Sequence, residues 1–108
     1  MARKPSRARQ WSLYLLRCRD GALYTGIALD VAARCRAHAE GTGAKALRGR
    51  GPLAVVFAVR IGDRGAAQSL ESRVKRLPKV EKERLVASRS FARQWLAGAR
   101  AAVDQPKS

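Results

Sequence analysis

The stretch Trp11-Ser12-Leu13-Tyr14-Leu15-Leu16-Arg17 is followed, after Cys18, by Arg19-Asp20-Gly21 and then by Leu23-Tyr24-Thr25-Gly26-Ile27. Two short runs rich in apolar and aromatic residues, separated by an Asp-Gly turn, read as a β-hairpin. The loop length decides what the hairpin can do. A two-residue Asp20-Gly21 turn sets Tyr14 opposite Ile27 and Tyr24 opposite Arg17, and the two rings then project to opposite faces. A three-residue Arg19-Asp20-Gly21 loop with Gly21 left-handed sets Tyr14 opposite Gly26 and Leu16 opposite Tyr24, and both rings then share one face. The second register gives Gly26 a purpose, because a missing side chain opposite Tyr14 leaves space for the phenol or for a phosphate. We expect the three-residue register. The plainer alternative is a pair of β-favouring tyrosines that pack the edge of a core.

Working outward, Asp30 can cap a helix from Val31 to Glu40, ended by Gly41 and Gly43, with Val31, Arg34, Cys35 and His38 on one stripe. Residues 41–52 form a Gly-rich stretch with Lys45, Arg48 and Arg50 and no acid, which reads as an exposed basic loop. Leu53 to Ile61 is apolar and β-branched enough for a third strand. Asp63 then caps a helix to about Leu77, stopped by Pro78. Lys79 to Ser88 is a further helical run, and Ser90 can cap a last amphipathic helix through Phe91, Trp95, Leu96, Ala99 and Val103. The order β-β-α-β-α-α with an extra C-terminal helix is an α+β domain with a small, mainly antiparallel three-stranded sheet flanked by helices. Residues 1–10 read as a flexible basic arm, 11–88 as the domain, and 89–108 as a C-terminal helix and frayed tail.

At 108 residues the chain has room for one core, and at 46% hydrophobic it has the material to form it. No run of about 18 apolar residues and no signal-peptide core is present, so a cytoplasmic protein without membrane contact is expected. Cys18 and Cys35 make neither a CxxC pair nor a zinc set, and both read as buried thiols. The 23 Lys and Arg outweigh the 8 Asp and Glu for a net charge of +15. Self-repulsion of that size is offset by a polyanion, and nucleic acid is the partner class it points to. A basic, Ala- and Arg-rich composition also arises from GC-rich coding, so charge alone names no activity.

Two further residues stand out. His38, the only His, lies four residues after Arg34 on one helical stripe, where a lone His is commonly structural. Glu71 sits within the apolar stripe of Ala67, Leu70, Val74 and Leu77, where a carboxylate is costly unless a cation compensates. Lys75, one turn on, is the simple compensating partner and a metal the functional one.

Taken in order, Ser12-Leu13-Tyr14, Tyr24-Thr25-Gly26 after nine intervening residues, Arg34, His38 and Glu71 resemble the GIY-YIG nuclease family. Within it the chain is similar to the small stand-alone bacterial YhbQ-like proteins, through residues 23–27, the basic glycine loop 41–51 and Leu70-Glu71-Ser72-Arg73-Val74-Lys75. The likeness spans roughly 11–88. It implies a metal-dependent endonuclease that hydrolyses phosphodiester bonds in DNA, with Tyr14, Tyr24, Arg34, His38 and Glu71 catalytic. It also implies Mg²⁺ or Mn²⁺ held by Glu71 and no small-molecule cofactor. Lys45, Arg48 and Arg50 would hold the backbone of DNA, or of RNA.

Each implied role has a physical reason. Negative charge builds on the phosphate oxygens during in-line attack, so a Lewis acid and a guanidinium that stays protonated are the useful groups. Activating water needs a base, which the resemblance assigns to Tyr24, with Tyr14 and His38 assisting. An unperturbed phenol titrates near ~10, so positive charge beside it must favour the phenolate. The chain departs from the family pattern in its first motif, Ser12-Leu13-Tyr14 in place of Gly-Ile-Tyr, which spares the phenol, and from the DNA-repair members at two further points: Ile27 stands where they carry Lys, and it has no late Asn. Two other functions are consistent with the composition: a catalytically lapsed nucleic-acid-binding module of the same fold, and a structural RNA-binding protein. A binder has no use for Glu71 facing an anion, which favours the enzyme.

Overall fold

A computed structural model describes residues 10–41, 49 and 51–104. Its elements follow the order β1 (Trp11–Arg17), β2 (Leu23–Ala28), α1 (Val31–Ala39), β3 (Ala54–Gly62), α2 (Arg64–Lys75), α3 (Lys79–Ala87) and α4 (Arg89–Asp104). The three strands form one antiparallel sheet in the order β2-β1-β3, an α+β arrangement with β1 at the centre. No helix among the described residues is long and apolar enough to cross a membrane.

The hairpin adopts the three-residue loop. Cys18 and Ala22 close it through Cys18 N–H to the Ala22 carbonyl at 2.9 Å, and Gly21 N–H donates to the Cys18 carbonyl at 2.9 Å. Gly21 takes φ 89°, which a residue with a Cβ rarely adopts. Asp20 Oδ1 accepts from Ala22 N–H at 3.0 Å and completes the turn. Tyr14 therefore pairs with Gly26 and Leu16 with Tyr24.

Alternation along β1 builds two different interiors. Leu13 and Leu15 face α2, α3 and α4 and join Ile61, Ala67, Leu70, Val74, Leu85, Ala92, Leu96 and Ala99 in the main core. Tyr14, Leu16 and Cys18 face the other way, with Ala28, and pack against Tyr24, Val31, Cys35 and Leu53. β3 carries an extra residue relative to β1 at Val56 and again at Ile61, two bulges that split its pairing into short runs.

Helix starts follow local chemistry. Asp30 Oδ1 accepts from Ala33 N–H at 3.0 Å and Asp63 Oδ1 from Ala66 N–H at 2.8 Å, as their positions in the sequence suggest. The last helix differs from expectation: Ser88, not Ser90, is its cap. Ser88 is extended, its Oγ accepts from Phe91 N–H at 3.1 Å, and its carbonyl takes the first helical bond from Ala92. One extended residue thus ends α3 and starts α4, which leaves Ser90 inside the first turn. Smaller corrections are that β3 begins and ends one residue later than expected, α1 stops at Ala39 and α2 at Lys75. Cys18 is buried as expected, whereas Cys35 is only partly so, because α1 is a surface helix whose one buried side chain is His38.

Candidate active site

The site is built on the face of the sheet beneath α1. Tyr14 is 2% exposed and His38 4%, and the phenol oxygen lies 3.1 Å from His38 Nε2. Tyr24, half-buried on the neighbouring strand, presents its ring to the same imidazole edge to face, with centroids 5.6 Å apart at 71°. The three rings converge because the loop register puts both tyrosines on one face and the Asp30 cap aims α1 across it.

Gly26 makes the convergence possible. A Cβ there would stand 2.5 Å from the Tyr14 hydroxyl oxygen and 2.6 Å from Cζ, inside any tolerable contact. The ring lies across bare backbone, so the expected space opposite Tyr14 is filled by the phenol itself.

Charge around these rings is asymmetric. Burial pushes the Tyr14 hydroxyl well above the usual phenol range; Tyr24 and Glu71 add to the shift and Arg34 opposes it. Burial, with Arg34 adding to it, lowers the His38 pKa from its ordinary value of 6.5. Near neutral pH the pair is therefore a neutral phenol bonded to a neutral imidazole. Arg34 is exposed on α1, and its charge reaches both groups.

Glu71 on α2 is close enough for its charge to act on the Tyr14 phenol. Its carboxylate lies 3.4 Å from Lys75 Nζ, with Lys75 itself largely in solvent, an exposed helical pair of a kind worth ~0.3 to 0.5 kcal/mol. Among the described residues no group of three His, Cys, Asp or Glu could enclose a metal ion. One hard carboxylate with part of its surface exposed nonetheless suits Mg²⁺, which binds through one or two carboxylates and completes its shell with water and substrate phosphate. The donor set thus fits a metal shared with substrate and does not fit an all-protein cage.

The structure brings Tyr14, Tyr24 and His38 into contact and places Arg34 and Glu71 within electrostatic range. Lys45, Arg48 and Arg50 lie outside the described residues. Ile27 packs against the main core, on the face away from the rings. Sequence reasoning missed one polar cluster. Arg17 forms a two-pronged ion pair with Glu83, at 2.5 Å from Nη1 and 2.7 Å from Nη2, and also donates to the Gly21 carbonyl at 3.0 Å. Lys79 bonds to both Glu83 and Gly21. Arg17 and Lys79 hold the Glu83 carboxyl down at about 2. This cluster ties the hairpin to α3 and so fixes the base of the strand that carries Tyr24. Its only sequence signal was the i,i+4 spacing of Lys79 and Glu83.

The family model described as the GIY-YIG catalytic domain matches residues 10–84. The chain belongs to the GIY-YIG family. Its relatives include the UPF0213 protein YhbQ of Salmonella typhimurium, 57% identical over 79 residues, covering 73% of this chain and 79% of that protein. A UPF0213 protein of Yersinia enterocolitica is 59% identical over 76 residues, covering 70% and 78%. Among solved structures, the solution structure of a UPF0213 protein from Bacillus halodurans is 41% identical and covers 72% of this chain and 83% of that one, with a TM-score of 0.48. GIY-YIG membership makes the chain a nuclease-family domain and nucleic acid its general substrate class. The C-terminal helix α4 lies beyond the matched residues.

Proposed function

We propose that the protein is a metal-dependent endonuclease that hydrolyses phosphodiester bonds in DNA at the face formed by Tyr14, Tyr24, Arg34, His38 and Glu71. The observation that carries this reading is the division of labour between two phenols on one imidazole. Tyr14 is buried, bonded to His38 and held protonated; Tyr24 touches the same ring but stands half open to solvent.

In this reading Tyr24 is the base that takes a proton from the attacking water, since it alone of the two can be approached by water. Tyr14 fixes the imidazole, and His38, neutral and oriented, keeps the Tyr24 ring in place. Arg34 meets the phosphate and stabilises the charge that builds on its oxygens. Glu71 would hold Mg²⁺ or Mn²⁺, which supplies Lewis-acid stabilisation of the same oxygens when bound. The basic residues Lys45, Arg48 and Arg50 belong to the proposal as contacts to the nucleic-acid backbone.

The direct test is a cleavage assay on supercoiled, branched and single-stranded DNA with Mg²⁺ or Mn²⁺, with and without chelator. Chelator-sensitive cleavage that Glu71→Gln abolishes, together with loss of metal binding by calorimetry, is the expected outcome, because a neutral amide is a poor ligand for a hard dication. Cleavage that survives chelator, or equal metal affinity in both proteins, would refute the site as drawn. A second reading, a lapsed nucleic-acid-binding module, is favoured by one observation: the Glu71 carboxylate already has a cationic partner in Lys75, at 3.4 Å. It predicts nucleic-acid binding without cleavage of any substrate.

A further inference from the structure

On the opposite side of the sheet from the three rings, a groove of about 460 Å³ runs along the outer edge of β3. Its floor is the Val56–Val59 strand edge with Leu85 and Val86 of α3, and Arg89 and Arg93 of α4 stand at its rim. β3 is an outer strand of the sheet, so alternate residues along it direct their main-chain N–H and C=O groups away from β1. Between the bulges at Val56 and Ile61, residues 57–60 keep an unbroken register against β1.

We propose that this groove binds an extended, acidic peptide segment of a partner protein, laid antiparallel or parallel against β3. Three observations select that occupant. An open strand edge matches the hydrogen-bonding pattern of another strand, which a sugar-phosphate chain lacks. Apolar walls from the partly exposed Val59 and Val86 take alternate apolar side chains, as a strand presents them. Arg89 and Arg93 make a cationic rim that carboxylates complement, and the complementarity is reinforced at the start of α4, whose first turn carries no acid of its own and whose cap is the uncharged Ser88. A second copy of this chain is disfavoured by the same rim, because pairing two edges would bring like guanidinium groups together on molecules that each carry +15. The inference is independent of the nuclease reading, since the groove shares no residue with the ring cluster.

The test uses the full chain and a fluorescein-labelled peptide, Asp-Val-Glu-Val-Asp-Leu-Glu, followed by anisotropy. Saturable binding tighter than about 1 mM is expected. The Arg89→Glu/Arg93→Glu variant should weaken it at least ~10-fold while leaving the far-ultraviolet spectrum and the unfolding temperature unchanged. A Lys-for-acid version of the peptide should bind that variant better than it binds the wild type, a rescue that misfolding cannot produce. N-methylation of alternate peptide amides should abolish binding in one of the two phases. Any of four results overturns the proposal: no saturation, equal binding by both proteins, full binding by both N-methylated peptides, or self-association that buries the groove. Displacement by a single-stranded oligonucleotide of the Arg89→Glu-sensitive signal would likewise overturn it and make the groove a nucleic-acid track.

Discussion

The two faces of the sheet are made by one strand and are unlike in almost every respect. Leu13 and Leu15 enter a core closed by three helices and built from apolar side chains, whereas Tyr14, between them in sequence, enters a face that, among the described residues, is covered by one nine-residue helix. The first interior is dry packing. The second contains a buried phenol and a buried imidazole, hydrogen-bonded to each other and each displaced from its ordinary pKa chiefly by burial. The difference teaches that one residue of β alternation separates a wholly apolar interior from one with buried polar groups, the interior on which the proposed chemistry rests.

The comparison is broken most sharply by cutting into the dry face. Leu70 is 1% exposed in the main core, and Leu70→Ala should cost ~2 to 5 kcal/mol in denaturant unfolding, a large share of a small domain's stability. A cost below ~1 kcal/mol would mean that the helical face does not carry the fold.

A smaller effect on stability with a larger one on the site is expected from Gly26→Ala. The new methyl collides with the Tyr14 ring, which must rotate away from His38, so the variant should lose ~1 to 3 kcal/mol. The His38 imidazole, having lost the hydrogen bond to the Tyr14 phenol, should show a changed ring resonance by NMR. An unchanged His38 spectrum would place the phenol elsewhere than over Gly26.

The smallest effect concerns the Arg17, Glu83 and Lys79 cluster. Glu83 has its folded pKa depressed from 4.5 to about 2, so the stability it contributes is present above pH 4.5 and is lost as pH falls from there to about 2. Glu83→Gln should therefore differ from wild type at neutral pH and converge with it through that window. Salt should reduce the difference, because the pair is partly exposed. A constant gap between the two proteins down to pH 2 would separate the cluster's worth from charge.

Much of this was legible in the sequence for physical reasons that can be named. Asp20-Gly21 with Gly26 opposite Tyr14 selects one register by parity, and the register alone brings the two tyrosines to one face. Asp30 and Asp63 cap helices because nothing nearby competes for the role. Ser88 and Ser90 were indistinguishable by type, and only the extended backbone of Ser88 decides between them. The bulges of β3 leave no mark in a run of Ala, Val and Phe. Arg17 and Glu83 are 66 residues apart, beyond any local spacing rule. The division of the two phenols into one buried and one half-open also arises from how α1 closes over the sheet, and strand pattern carries no trace of that angle.

The central claim is that the open phenol performs the proton transfer while contributing little to the fold. Single-turnover cleavage by Tyr24→Phe, with thermal unfolding recorded on the same sample, tests it directly. The account predicts a rate ~10² to 10⁴ lower than wild type, the usual worth of a general base, at an unchanged unfolding temperature. A wild-type rate in Tyr24→Phe would contradict it and hand the proton to another group.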